Sequence, residues 1–203
     1  MDENQILIEQ VLSGDVNAFR ELVERHQQRV YGFTRNMVRH SADAEDLVQE
    51  VFVAAFRKLE SFDSRRSRFS TWLLTITRNQ CLNYLKRSSI PTASEFDVKA
   101  LTTQPLDSVV NSELHARLDA ALNQLPLEQR TAFVLAEIQE LPYAEIAIIE
   151  DVEPGTIKSR VSRARQRLRE VLRDLNPTIH TTTDSATKAA NLLKRDHGRK
   201  HEF

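Results

Sequence analysis

The sequence predicts an all-α protein built from two small helical domains joined by a flexible linker. Only four of the 203 residues are glycine and six are proline, so few positions interrupt a helix. Apolar residues recur at spacings of three and four, and the long alternating runs typical of strands are absent. Between residues 88 and 112 this period is lost and Ser, Thr, Pro and Gln dominate, which is typical of a linker.

The first block, residues 1–87, contains four predicted helices. They are residues 3–12, a helix capped by Asp15, residues 43–59 and residues 69–87. The apolar residues of the last helix form two stripes, one of Phe69, Leu73 and Ile76 and the other of Leu74, Cys81 and Leu85. Two stripes predict burial between neighbours on two sides, which leaves Arg78 and Asn79 for a third face.

The second block, residues 113–176, is predicted to contain a helix-turn-helix. Residues 141–150 form a short helix with Pro142 near its first turn, and residues 151–153 form the turn. Pro154 then starts a second helix without the loss of a backbone hydrogen bond. A short helix, a tight turn and a basic amphipathic helix together are the plan of DNA-binding helix-turn-helix motifs.

The second helix of this motif separates cleanly on a helical wheel. Its apolar stripe consists of Ile157, Val161, Ala164, Leu168, Val171, Leu172 and Leu175. Basic residues border the stripe on both sides, and Ser159, Ser162 and Gln166 point away from it. Flanking cations suit phosphates, and a small polar ridge suits base edges. The alternative is an ordinary surface helix with a solvated basic face, but the short helix and turn before it favour DNA binding.

Charge is unevenly distributed along the chain. The formal net charge is −1, yet residues 158–173 contain seven cationic residues and one acidic residue. In residues 137–153 every charged residue is acidic. This contrast predicts a local nucleic-acid surface. No apolar run approaches the roughly 20 residues that span a bilayer, and no signal peptide is recognised, so a cytoplasmic location is expected. Cys81 is the single cysteine and is expected to be a core thiol, which fits a reducing compartment.

Four segments, in this order and spacing, resemble those of the sigma-70 family, in particular its extracytoplasmic-function group. They are Leu12–Phe19 at the opening, Asp43–Phe52 as the polymerase-binding helix of region 2, Phe69–Asn79 with Asn83–Arg87 as the helix that reads the −10 element, and Leu125–Leu172 as region 4. The likeness covers roughly residues 5–175. No segment resembles region 1.1 or region 3, as expected for this group.

The resemblance implies a transcription initiation factor and not an enzyme. Such a factor binds core RNA polymerase, directs it to promoter DNA through −35 and −10 elements, and helps to open the duplex. An anti-sigma factor is a further expected partner, whereas no cofactor, metal or membrane insertion is implied. The expected domains are region 2 over residues 1–87, a linker over 88–112, region 4 over 113–176 and a flexible tail over 177–203.

The resemblance also gives candidate site residues. Contact with core polymerase is expected from one face of the region 2 helix, formed by Asp46, Gln49, Glu50 and Val53. Contact with the −10 strand is expected from Arg65, Arg66, Arg68, Arg78 and Asn79. Reading of the −35 element is expected from Thr156, Lys158, Ser159, Arg160, Ser162, Arg163, Arg165 and Arg167, of which Arg160, Arg165 and Arg167 are expected to touch phosphate. Phe69, Trp72 and Tyr84 supply rings near the −10 residues, although Phe69 and Trp72 have the spacing of core residues.

Two other functions agree with parts of the sequence. A stand-alone helix-turn-helix regulator explains residues 113–176 but leaves residues 43–56 and 69–87 without a function. An enzyme is a remote alternative, because no Gly-rich phosphate loop, metal cluster or nucleophile motif is recognised. In the tail, the histidines His180, His197 and His201 lack the spacing of a metal site.

Overall fold

The computed structural model describes residues 3–38, 40–88 and 117–175, and within these ranges every regular element is helical. The helices are α1 (Glu3–Leu12), α2 (Val16–Met37), α3 (Ser41–Lys58), a short 3-10 turn (Leu59–Ser61), α4 (Phe69–Ser88), α5 (residues 117–123), α6 (Leu127–Phe133) with a π-helical turn (Val134–Ile138), α7 (Tyr143–Glu150) and α8 (Pro154–Leu175). The expectations for the linker after Ser88 and for the tail lie outside the described residues. No described helix is long and apolar enough to cross a membrane.

A tight turn joins α1 to α2, and two residues explain it. Gly14 has a φ of +110°, a left-handed conformation that residues with a Cβ rarely adopt. The Asp15 side chain then accepts a hydrogen bond from the Asn17 backbone N–H at 3.0 Å. This bond satisfies one of the unpaired donors at the start of α2, so the predicted cap is confirmed.

Helix α4 lies between two apolar clusters, as its two stripes predict. Phe69, Leu73 and Ile76 are buried in a cluster with residues of α1, α2 and α3. On the other side of the helix, Leu74 and Cys81 are buried in a second cluster. Cys81 is fully buried, so it is a core thiol as predicted, and this burial raises the pKa of the thiol to about 12.

The second block places α6, α7 and α8 around the apolar stripe of α8. Ile157, Val161, Ala164 and Leu168 are fully buried, as the helical wheel predicts. Pro126 and Pro142 occupy the positions just before α6 and α7, where the missing N–H of proline costs nothing. The π-helical turn after α6 was not predicted, because one extra residue in a turn leaves no clear mark on the apolar period.

The two blocks pack against each other, which the sequence did not predict. One apolar cluster contains residues of both blocks, among them Phe33, Met37, Leu74, Cys81, Leu122, Phe133, Ile146 and Leu168. The buried Arg130 donates a hydrogen bond from Nε to the Asn36 carbonyl oxygen at 2.8 Å, in the last turn of α2. Arg35 and Asp119 form an ion pair of 2.8 Å beside it. The described residues therefore form a closed arrangement with a shared core.

Candidate nucleic-acid interfaces

The turn between α7 and α8 is held in one conformation by its backbone. Asp151 has a φ of 54°, in the left-handed region that ends many helices. The Val152 N–H bonds the Ala147 carbonyl at 3.1 Å, which closes the end of α7. Pro154 follows as the first residue of α8. The chain thus forms a short helix, a tight turn and a long helix, in the order that the helix-turn-helix prediction requires.

One face of α8 is open to solvent and basic. Lys158, Ser162, Arg163 and Arg167 are exposed, and Thr156 is half-buried at the start of the helix. Ser159 is half-buried, and its hydroxyl donates to the Thr156 carbonyl at 2.8 Å. The structure therefore places most of the predicted −35 residues on one accessible surface, with cations on either side of small hydroxyl groups.

Two of the predicted phosphate contacts are instead held by carboxylates of the same block. Arg160 bonds the Glu150 carboxylate through Nη1 and the Glu128 carboxylate through Nη2, the latter at 2.8 Å. Arg165 pairs with Glu137. The helical wheel placed both arginines at the border of the apolar stripe, where a side chain turns towards neighbouring helices as readily as towards solvent. This placement does not favour a phosphate contact by Arg160, whose side chain is only 16% exposed.

The Glu150 carboxylate is the most buried charge of this site. Its side chain is 1% exposed at the end of α7, between Arg160 of α8 and Arg78 of α4. Burial raises the pKa of Glu150, while the charges of Arg78 and Arg160 oppose that shift. A buried carboxylate with two arginine neighbours ties three helices to one another.

The predicted −10 cations differ in their surroundings. Arg65 is highly exposed, but its guanidinium binds both Asp63 oxygens at 3.0 Å, which lowers the pKa of that carboxyl. Arg66 is exposed. Arg68 lies 3.6 Å from Oε1 of Glu145, a residue of α7.

Helix α4 carries the other two predicted −10 residues. Asn79 is exposed and accepts a hydrogen bond from Nη1 of Arg78 at 3.1 Å. The Nε atom of Arg78 lies 4.0 Å from Oε1 of Glu150, and the Arg78 side chain is 23% exposed. Two turns earlier, the Thr71 hydroxyl donates to Oε2 of Glu145 at 2.7 Å. The face of α4 that the sequence left free is therefore covered in part by α7.

The aromatic rings near this face are packing residues. Trp72 is half-buried, with ring centroids 5.4 Å from Phe62 and 5.6 Å from Phe69. The expectation that Trp72 and Phe69 belong to the core is confirmed. Tyr84 packs, partly buried, against the apolar cluster shared by the two blocks, and its hydroxyl donates to Asp43 of α3 at 2.6 Å. Burial, aided by this hydrogen bond, raises the pKa of Tyr84 to about 12.

A third surface lies on the outer face of α3. The predicted polymerase contacts Asp46, Gln49, Glu50 and Val53 are all exposed there. Phe56 continues the same face and is 43% exposed, while Val53 is 50% exposed. The sequence reasoning omitted Phe56 from the candidate site, although its spacing of three residues from Val53 is the signal that places both on one face.

Comparison with known proteins decides the family. A model of Sigma-70 region 2 matches residues 22–89, and a model of Sigma-70 region 4 matches residues 115–168. The ECF RNA polymerase sigma factor SigW of Bacillus subtilis is 34% identical over 83% of this chain and 96% of its own length. The chain belongs to the sigma-70 family, in its extracytoplasmic-function (ECF) group. The ECF sigma-E factor of Escherichia coli K12 is 35% identical over 81% of this chain and 92% of its own.

Solved structures give the same family. CnrH, in complex with the cytosolic domain of CnrY, superposes with a TM-score of 0.67 and 28% identity, covering 86% of this chain and 99% of CnrH. The sigma factor RpoE of Bartonella quintana, in complex with the anti-sigma factor NepR, gives 0.60 and 28%, over 78% and 98% of the two chains. Sigma factors are initiation factors and not enzymes, so the enzyme alternative is excluded.

Besides Phe56, the sequence did not indicate Thr71, Glu145 and Glu150, which lie among the predicted DNA-binding residues. The signal that could have identified the two glutamates is the segment 137–153, whose charged residues are all acidic and which precedes the basic segment of α8. From the sequence alone, that contrast indicates only a local nucleic-acid surface. Whether an acid on α7 meets a cation of α4 depends on how the two blocks pack, which no local pattern records.

Proposed function

We propose that this ECF sigma factor binds core RNA polymerase, directs it to promoters through −35 and −10 elements, and helps to open the duplex. The observation that carries the proposal is the exposed basic face of α8, presented by a helix-turn-helix in a chain that matches sigma factors along both blocks. In this proposal residues 1–87 are region 2 and residues 113–176 are region 4. A stand-alone regulator would not account for the match over the first block.

In the proposal α8 reads the −35 element. Its first turns would enter the major groove, so that Lys158, Ser162 and Arg163 lie close to base edges. Thr156 and Ser159 would border them, and Arg167 would contact phosphate because it is exposed further along the helix. Arg160 and Arg165 would act through their carboxylate partners, by fixing the orientation of α8.

Core polymerase would bind the outer face of α3. Two carboxylates and an amide surround the exposed side chains of Val53 and Phe56, a mixture of apolar area and charge that suits a protein interface. Charge reversal at Asp46 is expected to reduce co-purification with core enzyme. Glu24→Lys, a charge reversal at an exposed acid of α2, is the matched control.

The −10 strand would bind beside α4. Arg65, Arg66 and Arg68 would contact phosphates, and Arg78 and Asn79 would contact bases or phosphates from the helix itself. An anti-sigma factor is the expected regulator of this protein. Its structural relative RpoE of Bartonella quintana is seen in complex with the anti-sigma factor NepR, and CnrH is seen in complex with the cytosolic domain of CnrY. The chain's own residues do not identify the regulator.

Transcription in vitro tests the proposal. Core RNA polymerase is supplied with fragmented genomic DNA of the source organism, with and without this protein, and the 5′ ends of transcripts are sequenced. Protein-dependent starts with shared −35 and −10 sequences are expected. Their absence, together with no co-purification with core enzyme, would leave a stand-alone regulator as the better account.

Substitutions in α8 sharpen this test. Arg163→Ala is expected to relax the −35 sequence among the mapped starts, because a base contact contributes about 1–3 kcal/mol of discrimination. Arg173→Ala removes the same charge from an exposed position about 15 Å further along the helix, at 1.5 Å per residue, and serves as the control. Equal −35 preferences in both variants would argue against base contact by Arg163.

A further inference from the structure

Gly155 lies in the first turn of α8, and nothing in the described part of the chain explains why this position is a glycine. Its φ is not in the left-handed region, since among the described residues only Gly14 is a glycine with a positive φ. A Cβ built onto Gly155 would meet no atom of the described residues within 4 Å. Glycine is also less stable than alanine within a helix, because it loses more backbone entropy on folding. The fold therefore gains nothing from the missing side chain.

Gly155 lies on the face of α8 that the proposed function places in the major groove. With 3.6 residues per turn, Ser159 and Ser162 lie within roughly 40° of Gly155 around the helix axis. Lys158 and Arg163 flank these three residues on either side, and the buried apolar stripe lies opposite. The position without a side chain is therefore at the centre of the face assigned to DNA, between the two cations closest to the bases.

The closeness of approach matters because hydrogen bonds to base edges have a narrow range. They form at heavy-atom distances of about 2.7–3.2 Å and are lost by about 3.6 Å. A Cβ at residue 155 would stand about 1.5 Å beyond the Cα atom, the length of one C–C bond. If the Cα of Gly155 packs against a base edge, that methyl group moves the first turn of α8 away by about 1 Å or more, because carbon atoms keep about 3.5–4.0 Å apart. The short side chain of Ser162 cannot bridge such a gap.

We propose that Gly155 is a specificity-determining residue of the −35 interface, whose missing side chain lets the first turn of α8 pack directly against a base edge in the major groove. The inference rests on the proposed function, since it needs α8 to read the −35 element. Ser159 fits the same role, because its hydroxyl donates back to the Thr156 carbonyl at 2.8 Å and the residue presents a small surface to the groove. The glycine thus lowers the stability of the free protein and raises the sequence discrimination of the bound one.

The test compares the wild-type protein with Gly155→Ala and Gly155→Leu, each reconstituted as the full chain with core RNA polymerase. The DNA is the promoter most used in the transcription assay, together with the same fragment carrying a scrambled −35 element. Competition binding gives the affinity for each fragment, and the ratio of the two affinities is the −35 discrimination. Arg173→Ala, at an exposed position further along α8, is the control.

We expect Gly155→Ala to lower the −35 discrimination at least about fivefold, which corresponds to the loss of one base contact. Gly155→Leu is expected to lower it further, and Arg173→Ala to leave it unchanged. The salt slope of binding to the scrambled fragment is expected to stay the same in both Gly155 variants, because neither changes a charge. Urea unfolding of the free protein is expected to give Gly155→Ala a higher midpoint than the wild type. A loss of discrimination in a more stable protein cannot arise from a damaged fold.

Two results would overturn the inference. One is an unchanged −35 discrimination in both Gly155 variants. The other is an equal loss of affinity for the promoter and for the scrambled fragment, which would mean that the first turn of α8 lies against the phosphate backbone and not against a base edge. Failure of the proposed function is recognised separately, because it appears as an absence of starts in the transcription assay of the wild-type protein.

Discussion

Replacing Arg160 by methionine separates a structural role of this residue from a role in binding DNA. One arm of its guanidinium bonds Glu150, whose side chain is 1% exposed, and the other bonds Glu128, whose side chain is 71% exposed. Loss of the exposed arm costs about 0–1 kcal/mol. Loss of the buried arm leaves a carboxylate without its nearest cation, which costs about 3–5 kcal/mol. Arg78 remains 4.0 Å from Glu150, so we expect about 3 kcal/mol in total.

Urea unfolding followed by far-ultraviolet circular dichroism measures this loss. Glu128→Gln removes only the exposed arm and is expected to cost less than about 1 kcal/mol. Equal losses in the two variants would refute the reasoning, because the difference between the two arms depends entirely on the burial of Glu150. A loss below about 1 kcal/mol in Arg160→Met would refute it as well.

Binding to DNA gives the second half of the experiment. The salt dependence of promoter binding by the reconstituted polymerase is expected to be unchanged in Arg160→Met, measured under conditions where the variant is folded. Arg167→Ala is expected to behave in the opposite way, with stability within about 0.5 kcal/mol of the wild type and a salt slope smaller by about 0.9. A smaller salt slope of promoter binding by Arg160→Met would indicate that Arg160 contacts a phosphate.

Three further predictions concern stability and are measured by unfolding. Leu168→Ala truncates a fully buried side chain in the core of the second block and is expected to cost about 2–5 kcal/mol; a loss under about 1 kcal/mol would contradict the packing described for α8. Gly14→Ala is expected to lower the free energy of unfolding by about 1–2 kcal/mol, because the φ of Gly14 is +110°. Gly155→Ala is expected to raise it by about 0.4–1 kcal/mol, because an added Cβ there meets no atom within 4 Å. Effects of the same sign in the two variants would contradict this reasoning. The pKa of Cys81 is raised from 9.0 to about 12, so the folded state holds the thiol proton more tightly than the unfolded state does. Below pH 9 this thiol does not change the free energy of unfolding with pH. Above pH 9 that free energy falls by at most about 1.4 kcal/mol per pH unit, because the unfolded thiol ionises first. Cys81→Ala should lack this part of the alkaline decline, and an identical decline in both proteins would show that the thiol is not its source.

The helices themselves were predictable because their causes are local. The two stripes of α4 specify burial on two sides, and the structure has two clusters there. Asp15 caps α2 with its own side chain, and Pro126, Pro142 and Pro154 stand at helix starts for reasons that concern only the adjacent backbone. Periodicity and caps act over a few residues, so they are visible in the sequence.

The candidate site was predictable only in part. Lys158, Ser162, Arg163 and Arg167 are exposed on α8, as the helical wheel indicates for residues outside the apolar stripe. Arg160 lies at the border of that stripe. The helical wheel gives the direction of its side chain but not the carboxylates to which it donates. Contact of the outer face of α3 with polymerase and contact of α8 with DNA remain predictions, and the experiments above test them.

The helices, the helix-turn-helix order and the resemblance to sigma factors can be inferred from the amino-acid sequence alone, because they depend on spacing within short segments. Which charges meet depends instead on the tertiary structure. Glu145 finds Thr71 across 74 residues of sequence, and Arg130 finds Asn36 across 94. The carboxylate of Glu150 is buried because three helices converge on it. Such pairs follow from the packing of two blocks with complementary surfaces, and packing depends on the whole chain at once.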